Sequence, residues 1–120
     1  MVDSRVVSLT VPADADYLVL ARLALSAVCR LTRLRPEDVS DLKLALTEAA
    51  GGMVAGGGEV RFTFEVGDDS LAVVIRGDGA DMQPVEDDEL ARAIVAATVD
   101  DCVYENGQVR LVKYLAAPDE

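Results

Sequence analysis

Residues 59–66 alternate Val60, Phe62, Phe64 and Val66 against Glu59, Arg61, Thr63 and Glu65. A period of two sends the apolar side chains to one face of a strand and the polar ones to the other. Such a strand has one side in a core and one in water. Gly67-Asp68-Asp69-Ser70 is a hairpin turn, and Leu71–Arg76 returns as the partner strand. A ribbon with one buried face must be covered by other elements, and this requirement limits the chain to a small set of layered folds.

The cover is legible on both sides of that ribbon. Arg5–Val11 is β-branched and partly alternating, and reads as a strand ending at Pro12. Asp14 or Asp16 caps a helix running to about Arg33. Leu18, Leu20, Leu23, Leu25 and Val28 make it apolar nearly all round, so cover on more than one side is expected. Arg35-Pro36-Glu37-Asp38 starts a second helix, with proline in the first turn and acids matching the dipole. That helix carries Leu42, Ala45, Leu46, Ala49 and Met53 on one stripe and should fray from Gly51, before Gly56-Gly57-Gly58 ends it. Residues 77–88 read as a loop. A third helix from Asp88 to about Asp100 presents Leu90, Ala93, Ile94 and Ala97, and Asn106-Gly107 joins two further strands, 103–105 and 108–115. The order is β-α-α-β-β-α-β-β. It predicts one α+β domain over residues 1–120, a two-layer sandwich with helices on one face of a mixed, mostly antiparallel sheet.

Charge narrows the function classes. With 22 acids against 11 bases the net charge is −11, which repels phosphate backbones and anionic lipid; no nucleic-acid or membrane partner is expected. An acidic surface suits solubility, and it equally suits capture of a basic protein. No apolar run reaches membrane-spanning length without charge, and the N-terminus lacks a basic region followed by a cleavage-like site, so cytoplasmic residence is the simple reading. Cys29 and Cys102 lie in apolar surroundings in a chain with no histidine. They read as buried reduced thiols, with no metal site.

Several stretches together carry a resemblance. Val11-Pro12 closes the first strand and Ala21-Arg22 lies on the first helix. Asp41 to Glu48 form the second helix, and Arg76-Gly77-Asp78-Gly79-Ala80-Asp81 follows the third strand. Asp100-Asp101, Asn106-Gly107 and Leu111-Val112-Lys113 form the tail. In this order they resemble the GHKL (histidine kinase-like) ATPase superfamily with its Bergerat-type sandwich, and more narrowly its bacterial anti-sigma factor serine kinases (RsbW-like, SpoIIAB-like). The resemblance implies ATP and Mg²⁺ as cofactors and a sigma factor and an anti-anti-sigma (STAS-type) protein as partners. It also implies a homodimer through the sheet side, roles in stress-response transcription, Glu48 as the catalytic carboxylate, and Arg22 at the partner surface.

The departures from that pattern carry the functional expectation. Gly52 stands where the family has the asparagine that coordinates Mg²⁺, and glycine offers no side-chain oxygen. Gly77 stands where the family has the aspartate that accepts the adenine amino hydrogen. Asp78 is one residue along, on the opposite face unless a bulge re-aims it. Gly79 keeps the first glycine of the box, and Asp81 replaces the second. The glycine-rich lid becomes Met82–Glu89, with no glycine and four carboxylates, among them Glu86 and Asp87, which would repel a triphosphate. The remnant cofactor positions are thus Gly52, Gly77, Asp78 and Gly79. The expected function is sequestration of protein partners through Arg22 and the Glu86–Asp87 region, with ATP binding lost or weak. The alternative is an active serine kinase in which Glu48 orients a hydroxyl and Asp78 holds adenine. Plainer readings stand beside these: Glu48 as a solvated helix residue, Gly77 and Gly79 as loop glycines, Glu86–Glu89 as a helix cap.

Overall fold

A computed structural model describes residues 5–54, 56–79, 88–105 and 107–115. The elements are β1 (Arg5–Pro12), α1 (Leu18–Cys29), α2 (Pro36–Gly51), β2 (Glu59–Val66), β3 (Ser70–Gly77), α3 (Glu89–Thr98), β4 (Asp101–Glu105) and β5 (Gln108–Tyr114). The strands lie in the order β1-β2-β3-β5-β4, and every neighbouring pair is antiparallel. The expectation of some parallel pairing is therefore not met among the described strands. The crossover through α3 makes β4 parallel to β3, but the β4–β5 hairpin folds β5 in between.

Register aligns the core in rows. Leu9, Phe62, Ile75, Val109 and Tyr104 stand side by side across the five strands, and Val7, Phe64, Val73, Leu111 and Cys102 form the next row. The inner apolar positions of β2, β3 and β5 are buried. Above them α2 lies centrally, touching α1 on one side and α3 on the other. Its stripe of Leu42, Ala45, Leu46, Ala49 and Met53 is buried throughout. Among the described residues no helix is long and apolar enough to cross a membrane.

Two helices differ from expectation. Helix α1 ends at Cys29 because the Thr32 hydroxyl donates to the Cys29 carbonyl at 2.7 Å and itself accepts from the Leu34 N–H at 3.2 Å, turning the chain. It buries Leu18, Ala21, Leu25, Val28 and Cys29, whereas Val19, Leu20 and Leu23 remain 47%, 44% and 61% exposed. The layer is one helix thick and α1 stands at its edge, so only one side is covered. Helix α3 buries Ala91, Val95 and Thr98; of the expected stripe Ile94 is half-buried and Leu90 is exposed. Both ends set this rotation. The Asp88 carboxylate accepts from the Ala91 N–H at 3.0 Å, and Lys113 donates to the Thr98 carbonyl at 3.2 Å.

Both cysteines are free; Cys29 is buried and Cys102 half-buried. Burial pushes the Cys29 thiol up to about 11, against the opposing field of Lys43. A thiol held neutral in the fold contributes stability that is intact below its ordinary value of 9.0 and is lost as pH rises from there to about 11. Unfolding by urea across that window should show a steeper fall for the parent protein than for Cys29→Ala.

Candidate functional site

The third strand delivers its last residues to the point where the two longest connections meet. Gly77 ends β3 on the inner face, beside Val60 of β2, and is buried. Its N–H donates to the Gly107 carbonyl at 3.0 Å. Asp78 follows with the opposite orientation. Its Oδ1 accepts the Glu59 N–H at 2.7 Å, and its own N–H donates to the Glu59 carbonyl at 3.2 Å. With Thr10, Arg61 and Arg76 it lines a hollow of about 210 Å³ on the side of the sheet away from the helices. A one-residue step along a strand reverses the face, and no bulge corrects it here.

Gly79 lies against the loop after α2. A side chain there would collide with the carbonyl oxygens of Gly56 and Gly57, and one on Gly58 would collide with the Asp78 carboxylate. Gly57 and Gly58 hold φ of 77° and 72°, the left-handed region that favours glycine. The Gly58 carbonyl accepts from the Ala13 N–H at 2.9 Å, so the chain leaving β1 is fastened to the same knot. Three connections therefore meet backbone to backbone, and glycine is required at their contacts.

The other sequence-derived positions are distributed around this knot. Glu48 is half-buried on α2, one turn before Gly52, which follows the helix with φ −72° and ψ −29°. Arg22 is exposed on the uncovered face of α1, beside Leu23. Glu86 and Asp87 lie outside the described residues. Of the acidic run, Asp88 is an N-cap and Glu89 sits in the first turn of α3.

Residues 11–113 match a family model described as a histidine kinase-like ATPase domain. The chain belongs to this family. Among curated relatives, this histidine kinase-like ATPase domain is 31% identical over 90 residues to the serine-protein kinase RsbW of Bacillus velezensis, covering 68% of this chain and 56% of that one. It is 30% identical over 88 residues to RsbW of Oceanobacillus iheyensis, with 67% and 56% covered. With RsbW of Bacillus cereus it shares 27% over 78 residues, covering 61% and 49%. The chain spans about half the length of the curated relatives it matches.

Gly52 supplies no oxygen and Gly77 no carboxylate, while the Asp78 carboxylate is engaged on the far side of the sheet. Sequence reasoning missed two features of this histidine kinase-like ATPase domain. One is the Gly79 contact with Gly56 and Gly57, which the paired glycine clusters could have signalled. The other is Lys113, whose ammonium lies 3.6 Å from Asp38 and 3.7 Å from Asp41 on α2. No local pattern links residues so far apart in the chain.

Proposed function

We propose that this domain is an anti-sigma-like regulator that acts in the cytoplasm by holding protein partners in a partner-switching system, with nucleotide binding lost or weak. The observation that carries the reading is the pairing of Gly77 inside with Asp78 outside: the position to which the resemblance gives the adenine carboxylate is a glycine, and the neighbouring carboxylate accepts from the Glu59 N–H. The uncovered face of α1, with Arg22 among Val19, Leu20 and Leu23, supports a protein contact. Partners of the kind the resemblance implies, a sigma factor or a STAS-type protein, would dock there and around residues 86–88. A homodimer through the open sheet face is part of the same reading.

Calorimetric titration with Mg²⁺ and ATP tests it. No heat of binding is expected up to about 1 mM nucleotide, and a dissociation constant of about 1 μM would overturn the reading. Both glycines have backbone angles that ordinary residues adopt. The double variant Gly52→Asn with Gly77→Asp is therefore expected to gain measurable binding.

A second reading, an active serine kinase, is favoured by the similarity to the serine-protein kinase RsbW and by the presence of Glu48 on α2. Transfer of labelled phosphate to a STAS-type protein that is abolished by Glu48→Gln would establish it instead.

A further inference from the structure

A second hollow, of about 490 Å³, opens on the helical side where the end of α1 meets the start of α2. Its charged lining residues are Arg30 and Lys43, both cations. Neither is in an ion pair among the described residues. This is unusual in a chain of net charge −11. The helical period explains it. Ser40 and Lys43 share the α2 face toward α1, whereas Asp38 and Asp41 lie on the face toward β5, where Lys113 takes both carboxylates. The segment contributing the opposite wall adds to the effect, because residues 17–36 hold four arginines and no acid.

The remaining lining completes a recognisable kind of site. Leu34 and Val39 supply apolar surface, and the Ser26 hydroxyl is a neutral donor. The buried Cys29 thiol lies at the same wall, close enough to Lys43 to sense its charge. Pockets of about 300–1,000 Å³ with mostly apolar walls and a few converging polar groups are the usual size and character of small-molecule sites.

We infer that the α1–α2 corner binds a small molecule with one anionic head and a short apolar body, the head held between Lys43 and Arg30 and the body against Leu34 and Val39. The carboxylate and phosphate forms of such a molecule share this chemistry. The site lies away from the Gly77–Gly79 knot and does not rest on the proposed loss of nucleotide binding.

The probe is octanoate, followed by amide chemical shifts of the full chain, with octanamide and octyl phosphate as parallel arms. Octanoate, with about ten non-hydrogen atoms, is expected to bind with a dissociation constant of about 1 mM or tighter. The largest shifts should fall on residues 26–43, and octanamide should bind about tenfold more weakly or worse. Lys43→Met, at a half-buried position, and Arg30→Gln, at an exposed one, should each cost about tenfold, and Lys43→Arg should retain binding. Tighter binding of octyl phosphate than of octanoate would support the site with phosphate as its preferred head. The inference is overturned if octanoate and octanamide bind alike, if neither binds, or if the shifts centre on Val19, Leu20 and Leu23.

Discussion

Replacing Gly79 by valine is expected to lower stability by about 3 kcal/mol or more, and by alanine about 1–3 kcal/mol. The first atom of either side chain meets the carbonyl oxygens of Gly56 and Gly57. Backbone oxygens cannot rotate away as a flexible side chain would, so the loop after α2 must shift as a body. That loop is also bound to Ala13 through Gly58 and to Asp78 through Glu59, so the shift has few cheap directions. Thermal unfolding should show a fall in Tm of about 10 °C for the valine variant. Gly51 is the control. It ends α2 with nothing within 4 Å of an added carbon, and Gly51→Ala should be neutral or stabilising by up to about 1 kcal/mol. Equal losses at the two positions would contradict the contact described for Gly79.

The second large effect is expected at Lys113. Its side chain is only 12% exposed and donates to the Thr98 carbonyl at the end of α3 while lying near two α2 carboxylates. Removing it leaves Asp38, 21% exposed, beside Asp41 with no cation between them. Full burial would put the cost at about 3–5 kcal/mol. Partial exposure of both acids reduces this to about 2–3 kcal/mol for Lys113→Ala. Lys113→Met restores most of the packing and little of the loss. The exposed pair Arg110–Glu65, at 2.8 Å with side chains 41% and 36% exposed, is the contrast: Glu65→Gln should cost no more than about 0.5–1 kcal/mol. Denaturant titration of the three variants measures all of this. Parity between Lys113→Met and Glu65→Gln would show that Lys113 is not the tie between α2, α3 and β5.

These two sites differ in how visible they are in the sequence. The strands were plain, because Val60, Phe62, Phe64 and Val66 alternate and the alternation decides which side enters the core. The α2 stripe was equally plain, since Leu42, Ala45, Leu46, Ala49 and Met53 repeat at helical spacing. Helix α3 was not. Leu90 is the larger apolar residue, yet Ala91 and Val95 are buried, because the rotation is set by Asp88 and Lys113 rather than by hydrophobicity alone. The near-continuous apolar character of α1 suggested enclosure, whereas the fold provides a neighbour on only one side. At the candidate site the glycines at 52, 77 and 79 are plain in the sequence, but the contacts they make are not. The destination of the Asp78 carboxylate followed from strand parity, but its bond to Glu59 required the register of β2 on β3. The corner between α1 and α2 had no local signature, since Arg30 and Lys43 converge only when the two helices turn back on each other.

The placement of β1 at one margin of the sheet has a further consequence. Among the described residues its sole strand neighbour is β2, and the chain between them contains both α1 and α2. The helix that exposes Leu20 and Leu23 is thus moored, on its upstream side, to a ribbon anchored along one edge. Peeling that ribbon away would leave α1 held by its contacts with α2 and β2 and by the chain beyond. An encounter that grips α1 can therefore be felt as tension on the outermost strand, and whatever secures that strand also steadies the surface that α1 displays.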